Sequence, residues 1–259
     1  MTYEALKIDL SGEVLTVTLN RPDALNSMNG QMIEELTTVF TELHHDTTSK
    51  IVVLQGEGRA FSAGGDIKAM LANDGSFEIT DIMGKLEKLA LAYYTLPKLT
   101  IAAVHGAAAG LGFSLVLASD FIVAEKSAKL AMNFIGIALV PDGGGHFFLK
   151  ERVGIPKAKQ IIWEGKMMTG EQAHEATLVD QVIEDGQLPF AVEQFTKKLT
   201  SSPVQAMLES KKILHNTKME ELKQVLSGEA AAQTAMRSAA DHLEGIDAFV
   251  NKRKPQFNQ

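Results

Sequence analysis

Two glycine-rich segments, Phe61-Ser62-Ala63-Gly64-Gly65-Asp66 and His105-Gly106-Ala107-Ala108-Ala109-Gly110-Leu111-Gly112-Phe113-Ser114, each follow an apolar strand-like run and lead into a helix-like one. The start of a helix carries backbone N–H groups that the helix itself cannot satisfy. Two such sets can converge on one oxygen and stabilise negative charge that develops there, an effect worth about 3 kcal/mol for a single donor. The second segment ends in Ser114 and places no carboxylate on its first helical turn, so it offers no general base of its own.

Leu139-Val140-Pro141-Asp142-Gly143-Gly144-Gly145 is the next most informative stretch. It reads most plainly as a tight turn in which Asp142 caps the following helix. An Asp held by a rigid proline and flanked by glycines also suits a proton carrier, because the glycines leave room for a reacting molecule. In an apolar site desolvation would raise its pKa into a useful range. His146 follows four residues later and shares a helical face with Asp142 if the helix begins there, although a surface histidine is the plainer reading.

Other familiar chemistries fail on spacing. Gly56-Glu57-Gly58 has Phe61 where a dinucleotide fingerprint needs its third glycine, and no Gly-Lys-Ser/Thr phosphate loop occurs. Gly112-Phe113-Ser114-Leu115-Val116 has Val where a serine-hydrolase elbow closes on glycine. The seven histidines show no metal-ligand spacing, and no metal site is expected.

The composition narrows the class. A chain of 259 residues can bury a substantial core, and its 45% hydrophobic and 22% charged fractions are those of a globular protein. A net charge of −7 argues against nucleic acid as a partner. With no cysteine there are no disulfides or thiolate sites. Residues 1–13 lack a basic region followed by an apolar core, and no apolar run is long enough to span a bilayer, so a soluble cytoplasmic protein with no membrane partner is expected.

The positioning elements follow from periodicity. Residues 3–20 alternate as a hairpin broken at Ser11-Gly12, residues 29–45 repeat apolar side chains at helical spacing, and residues 50–54 form a short buried strand. A helix over 77–94, a strand over 99–104, a buried helix from Gly110 and a strand over 121–124 continue the pattern, which makes the class α/β with right-handed parallel crossovers. Past Val153, apart from a strand over 179–183, the patterns are helical: 189–199, 203–215, 219–240 and 243–252. The chain divides into a core domain, residues 1–195, and a helical region, residues 196–259, suited to assembly.

Taken together these segments resemble the crotonase superfamily, the enoyl-CoA hydratase/isomerase family, over essentially the whole chain. Asn20-Arg21-Pro22 with Ala24-Leu25-Asn26, the two glycine segments, Pro141-Asp142-Gly143-Gly144 and the stretch 245–252 occur in the family's order. The resemblance implies a spiral of ββα units with a helical C-terminal trimerisation region, a homotrimer or dimer of trimers, and an acyl-CoA thioester substrate. No separate cofactor is implied, since coenzyme A is part of the substrate. It further implies that the N–H groups of Gly65 and Leu111 hold the thioester oxygen. Ala24, Ala63, Asp66 and Ile67 would line the CoA channel, and Phe249 and Lys252 would complete a neighbouring subunit's CoA pocket, Lys252 by pairing with phosphate.

The departures from the family pattern discriminate further. Hydratases of the family use two glutamates, and the matching positions here are Ser114 and Phe134, neither of which can act as a general base. Several isomerases of the family keep an acid at the Pro-Asp-Gly-Gly position, which Asp142 matches. The expectation is an acyl-CoA isomerase that shifts a double bond from the 3 to the 2 position, with Asp142 as proton carrier and Phe113 and Phe134 keeping the site dry. A hydratase using Asp142 and a water held by Ser114, and a non-catalytic acyl-CoA binder, are the alternatives.

Overall fold

The computed structural model describes residues 3–67 and 79–258. The chain opens with an antiparallel hairpin, β1 (Leu6–Ser11) and β2 (Val14–Leu19), then helix α1 (Gly30–Leu43). The Asn29 side chain caps α1 by accepting from Met32 N–H, and Met32, Ile33, Leu36, Val39, Phe40 and Leu43 form its buried stripe. Strand β3 (Ile51–Gly56), helix α2 (Ile79–Tyr94), strands β4 (Leu99–Val104) and β5 (Ala107–Ala109) and helix α3 (Leu111–Leu117) follow. Then come β6 (Phe121–Glu125), β7 (Lys129–Ala131), α4 (Gly145–Glu164), β8 (Met168–Thr169), α5 (Gly170–Glu175) and β9 (Gln181–Ile183). Three helices end the chain: α6 (Leu188–Thr200), α7 (Val204–Arg237) and α8 (Ala240–Val250).

The main sheet has the order β1-β2-β3-β4-β6-β9, parallel after the opening hairpin. Every residue of β4 is buried, as expected for a parallel strand covered on both faces. After a sharp corner each strand feeds a shorter rung in a second layer: β4 leads into β5 and β6 into β7, and β5 and β7 pair in parallel. Single parallel bridges, Met28 to Gly65 and Ser62 to Ala108, extend that layer back toward the N-terminus. These rungs, stacked turn on turn, are the spiral of ββα units. Gly106 makes one corner, with φ +55° and a position where any Cβ would lie 2.1 Å from the Arg59 carbonyl oxygen.

The hairpin, the parallel crossovers and α1, α2, α3 and α6 stand where periodicity places them. Two features differ. The helices expected over 203–215 and 219–240 are one continuous helix, the 34-residue α7, because Asn216, Thr217 and Lys218 between them include neither glycine nor proline. The segment past Val153 also contains β8 and α5, the latter opened by a capping box from Thr169 and Gln172. Helix α6 runs unbroken across residues 195 and 196.

The larger core lies between the sheet and helices α1, α2, α3, α4 and α7, and a smaller one packs Ile51, Val53, Leu99, Ile101 and Val123 against Leu188, Val192 and Leu199. Helix α7 is about 51 Å long at 1.5 Å per residue. Near one end Lys211 pairs with Asp120 at 2.7 Å and His215 stacks on Tyr94 at a ring separation of 3.9 Å. Its other end reaches the loop that carries Asp142.

Candidate active site

The two glycine segments lie side by side. Ser62 N–H donates to Ala107 O at 2.9 Å and Ala109 N–H returns a bond to Ser62 O at 3.0 Å. Their contact leaves no space for side chains: a Cβ on Gly64, whose φ is +96°, would fall 2.7 Å from Ala109 O, and one on Gly112 would fall 2.8 Å from Ser62 Cβ. Gly65 follows the first strained glycine, and Leu111 follows Gly110, at φ 52° and ψ −125°, as the first residue of α3. Among the described residues no acceptor takes the N–H of Gly65 or of Leu111. For Leu111 the cause is its place at the start of a helix.

Asp142 is only 8% exposed, and its neighbour Gly143 packs so close to Leu111 that an added Cβ would fall 2.5 Å from Leu111 Cδ1. Helix α4 begins three residues beyond it, and the Asp142 side chain does not cap that helix. One carboxylate oxygen, Oδ2, accepts from Gln233 Nε2 at 3.3 Å, while Oδ1 is buried without a hydrogen-bond partner. Burial, then the negative charge of Glu229, push the Asp142 carboxyl up to about 8, against the pull of the Arg237 guanidinium. A carboxyl in that range exchanges protons near neutral pH.

The cap of α4 comes instead from α7, a contribution no local motif announced. Glu229 accepts from Gly144 N–H at 2.8 Å and from His146 N–H at 3.0 Å. The same carboxylate bonds His146 Nδ1 at 2.8 Å, so His146 is oriented by Glu229, and no hydrogen bond joins it to Asp142 among the described residues. Its spacing from Asp142 therefore has a different meaning from a shared proton path. Glu229, Gln233 and Arg237 recur every four residues, which brings all three to one face of α7. That periodicity was the available signal, but it needed the Asp142 loop beside it to be read.

Ser114 is fully buried, and its hydroxyl donates to the Asp142 carbonyl at 2.8 Å. It therefore joins α3 to the Asp142 loop. Phe134 is half-buried beside Gly110, where an added Cβ would come within 3.6 Å of its ring, whereas Phe113 lies fully inside the main core. Leu111 and Gly143 border a small apolar pocket with Leu86, Leu89, Leu115 and Phe148.

A second group of expected residues gathers at another rim. Asn26 Nδ2 donates to Glu57 O and Ala60 O, and Ala63 N–H donates to Leu25 O at 2.9 Å, which sets Ala24, Ala63, Asp66 and Ile67 on neighbouring turns. Asp66 pairs with Arg21 at 2.9 Å. Phe249 and Lys252 are exposed on and just beyond α8, and within one chain they are not brought to that rim by any described contact. Helix α8 is held to the 3-10 turn Asn133–Ile137 by close approach of Gly245 and by His242 Nδ1 on Ile137 O at 2.8 Å.

A family model described as enoyl-CoA hydratase/isomerase matches residues 9–259. The chain belongs to the enoyl-CoA hydratase/isomerase family. It is 45% identical to a Bacillus subtilis (strain 168) protein named as an enoyl-CoA hydratase/isomerase, over 98% of this chain and 99% of the other. It is 34% identical to a 1,2-epoxyphenylacetyl-CoA isomerase of Escherichia coli (strain K12), over 94% of each. Its fold matches the crystal structure of an enoyl-CoA hydratase from Mycobacterium avium subsp. paratuberculosis with a TM-score of 0.90, at 29% identity and full coverage of both chains. The family acts on acyl-CoA thioesters, and the relatives' names include both hydratase and isomerase. Among the described residues no helix is long and apolar enough to cross a membrane.

Proposed function

We propose that this enoyl-CoA hydratase/isomerase family member is an isomerase that moves a double bond from the 3 to the 2 position of an enoyl-CoA. The observation that carries the reading is the buried carboxylate of Asp142, one oxygen of which has no hydrogen-bond partner, with Ser114 and Phe134 where hydratases of the family have glutamates. Ionised Asp142 takes a proton from C2, the electrons shift into the thioester, and the oxygen becomes an enolate. The Gly65 and Leu111 N–H groups stabilise that charge. Asp142 then returns its proton at C4, leaving the double bond between C2 and C3, so one carboxylate completes the cycle without water.

Two observations favour this over hydration. The Ser114 hydroxyl is spent on the Asp142 carbonyl and is sealed from solvent. The lining beside Leu111 and Gly143 is apolar, from Leu86, Leu89, Leu115 and Phe148, and offers no polar group to hold a water. Ala24, Ala63, Asp66 and Ile67 form the rim assigned to CoA. Phe249, 59% exposed, and Lys252 serve the site of a neighbouring copy in a homotrimer or dimer of trimers. The protein works as a soluble cytoplasmic enzyme with no further cofactor.

The test is Asp142→Asn with a 3-enoyl-CoA in deuterated water. Loss of isomerisation and of C2 proton exchange by about a thousandfold, with thioester affinity nearly kept, is expected. Unchanged turnover overturns the reading. Incubation of the unaltered protein with crotonyl-CoA should leave the enoyl absorbance intact, whereas its decay identifies a hydratase.

A further inference from the structure

Helix α7 does more at the Asp142 loop than cover it. Glu229 is 3% exposed, and both oxygens of its carboxylate are engaged at the start of α4, on Gly144 N–H and on His146 through its backbone and its ring. One turn further along α7, Gln233 Nε2 bonds Val140 O at 2.6 Å and Asp142 Oδ2 at 3.3 Å. The loop is thus gripped on both sides of Asp142, at Val140 and at Gly144, by two side chains of one rigid helix. A buried carboxylate is costly unless its oxygens are hydrogen-bonded, and the bonds at the head of α4 give both oxygens of Glu229 partners.

We propose that Glu229 is a positioning residue of this enzyme: docked on the start of α4, it fixes the Asp142 loop from helix α7 and sets a second negative charge beside the reacting carboxylate. This rests on Asp142 being the proton carrier. The charged and titratable groups facing Asp142 are Glu229 and Arg237 from α7, with His146 of α4 bonded to Glu229 and His242 of α8 beside Arg237. Like charges in a dry site resist ionisation together, so Glu229 makes Asp142 a stronger base once ionised. The His146 ring meets Glu229 Oε1 through Nδ1 at 2.8 Å from its partly exposed side.

The experiment is the pH profile of kcat/KM for proton exchange, read in Glu229→Gln and Gln233→Glu. Glu229→Gln keeps the size of the side chain and removes its charge. The acid limb should move down by about one pH unit, with a lower plateau from the loosened loop. Gln233→Glu adds a carboxylate one turn away and takes the donor from Asp142 Oδ2, so its limb should move up whatever Glu229 does, which checks that the limb reports Asp142; the double variant Glu229→Gln/Gln233→Glu, whose limb should lie about one unit below that of Gln233→Glu, decides the matter if Glu229→Gln alone does not fold. Glu229→Asp, which keeps the charge on a shorter arm, should lower the plateau and leave the limb where it is. A purely structural role changes plateaus and melting temperature alone, so an unmoved limb on Glu229→Gln, alone or in the double variant, overturns the proposal. Failure of the underlying reading looks different, because Asp142→Asn would then still exchange protons.

Discussion

The two ends of the site are made of different materials. At the Gly65 and Leu111 end the functional groups are backbone N–H groups, set by segments that touch through Ser62, Ala107 and Ala109 and so close that glycine is required at 64 and 112. At the Asp142 end they are side chains, and the supports at Glu229 and Gln233 come from a helix far along the chain. A backbone site tolerates any side chain at the donor itself and almost none at its neighbours. A side-chain site is the reverse: the reacting residue is fixed in type, and its loop needs outside support.

Leu111→Pro probes the first end most directly. Proline suits the first position of a helix but carries no N–H, so activity should fall about 100- to 1000-fold. Leu111→Ala, which keeps the N–H and loses the same packing, should retain activity while costing about 2 to 5 kcal/mol in stability by denaturant titration. Equal activity losses in the two variants would erase the contrast between backbone and side-chain ends. Gly64→Ala comes next: at φ +96° and against Ala109 O it should lose about 1 to 3 kcal/mol and splay the paired segments, visible as a weaker response to acyl-CoA binding.

The other end shows itself in the pH dependence of stability. The Asp142 carboxyl is raised from 3.8 to about 8, so between those pH values the folded chain holds a proton that the unfolded chain has released. Stability from this group is therefore lost as pH rises from about 4 to about 8. Asp142→Asn has no such slope and should melt about ten degrees higher than the unaltered protein at pH 8, with the gap closing toward pH 4 in calorimetry. A gap that is flat in pH would mean Asp142 is not desolvated.

How much of this could be read from residues alone follows the same division. The glycine segments and the buried strands are local signals: strict alternation in β2, an unbroken apolar run in β4, and apolar spacing in α1. Asp142 was legible because proline and glycines surround it. The short rungs β5 and β7 were not, since three residues carry no usable periodicity and exist only because neighbouring turns of the spiral stack on them. Glu229 in an Ala- and Glu-rich helix looks like any solvated acid, and its burial depends on a contact 85 residues away in sequence. Ser114 was legible as a missing carboxylate, while its hydroxyl's bond to the Asp142 carbonyl was not.

That separation also sets an order of assembly. The strands, the glycine segments and Asp142 leave the ribosome with the first part of the chain, and Glu229 and Gln233 follow on the order of ten seconds later at ordinary synthesis rates. During that interval the start of α4 has no carboxylate on its N–H groups, and the Asp142 side chain has no Gln233. The N–H groups that would receive the thioester oxygen and the acid that would move the proton are thus synthesised before the side chains that hold that acid in its folded position.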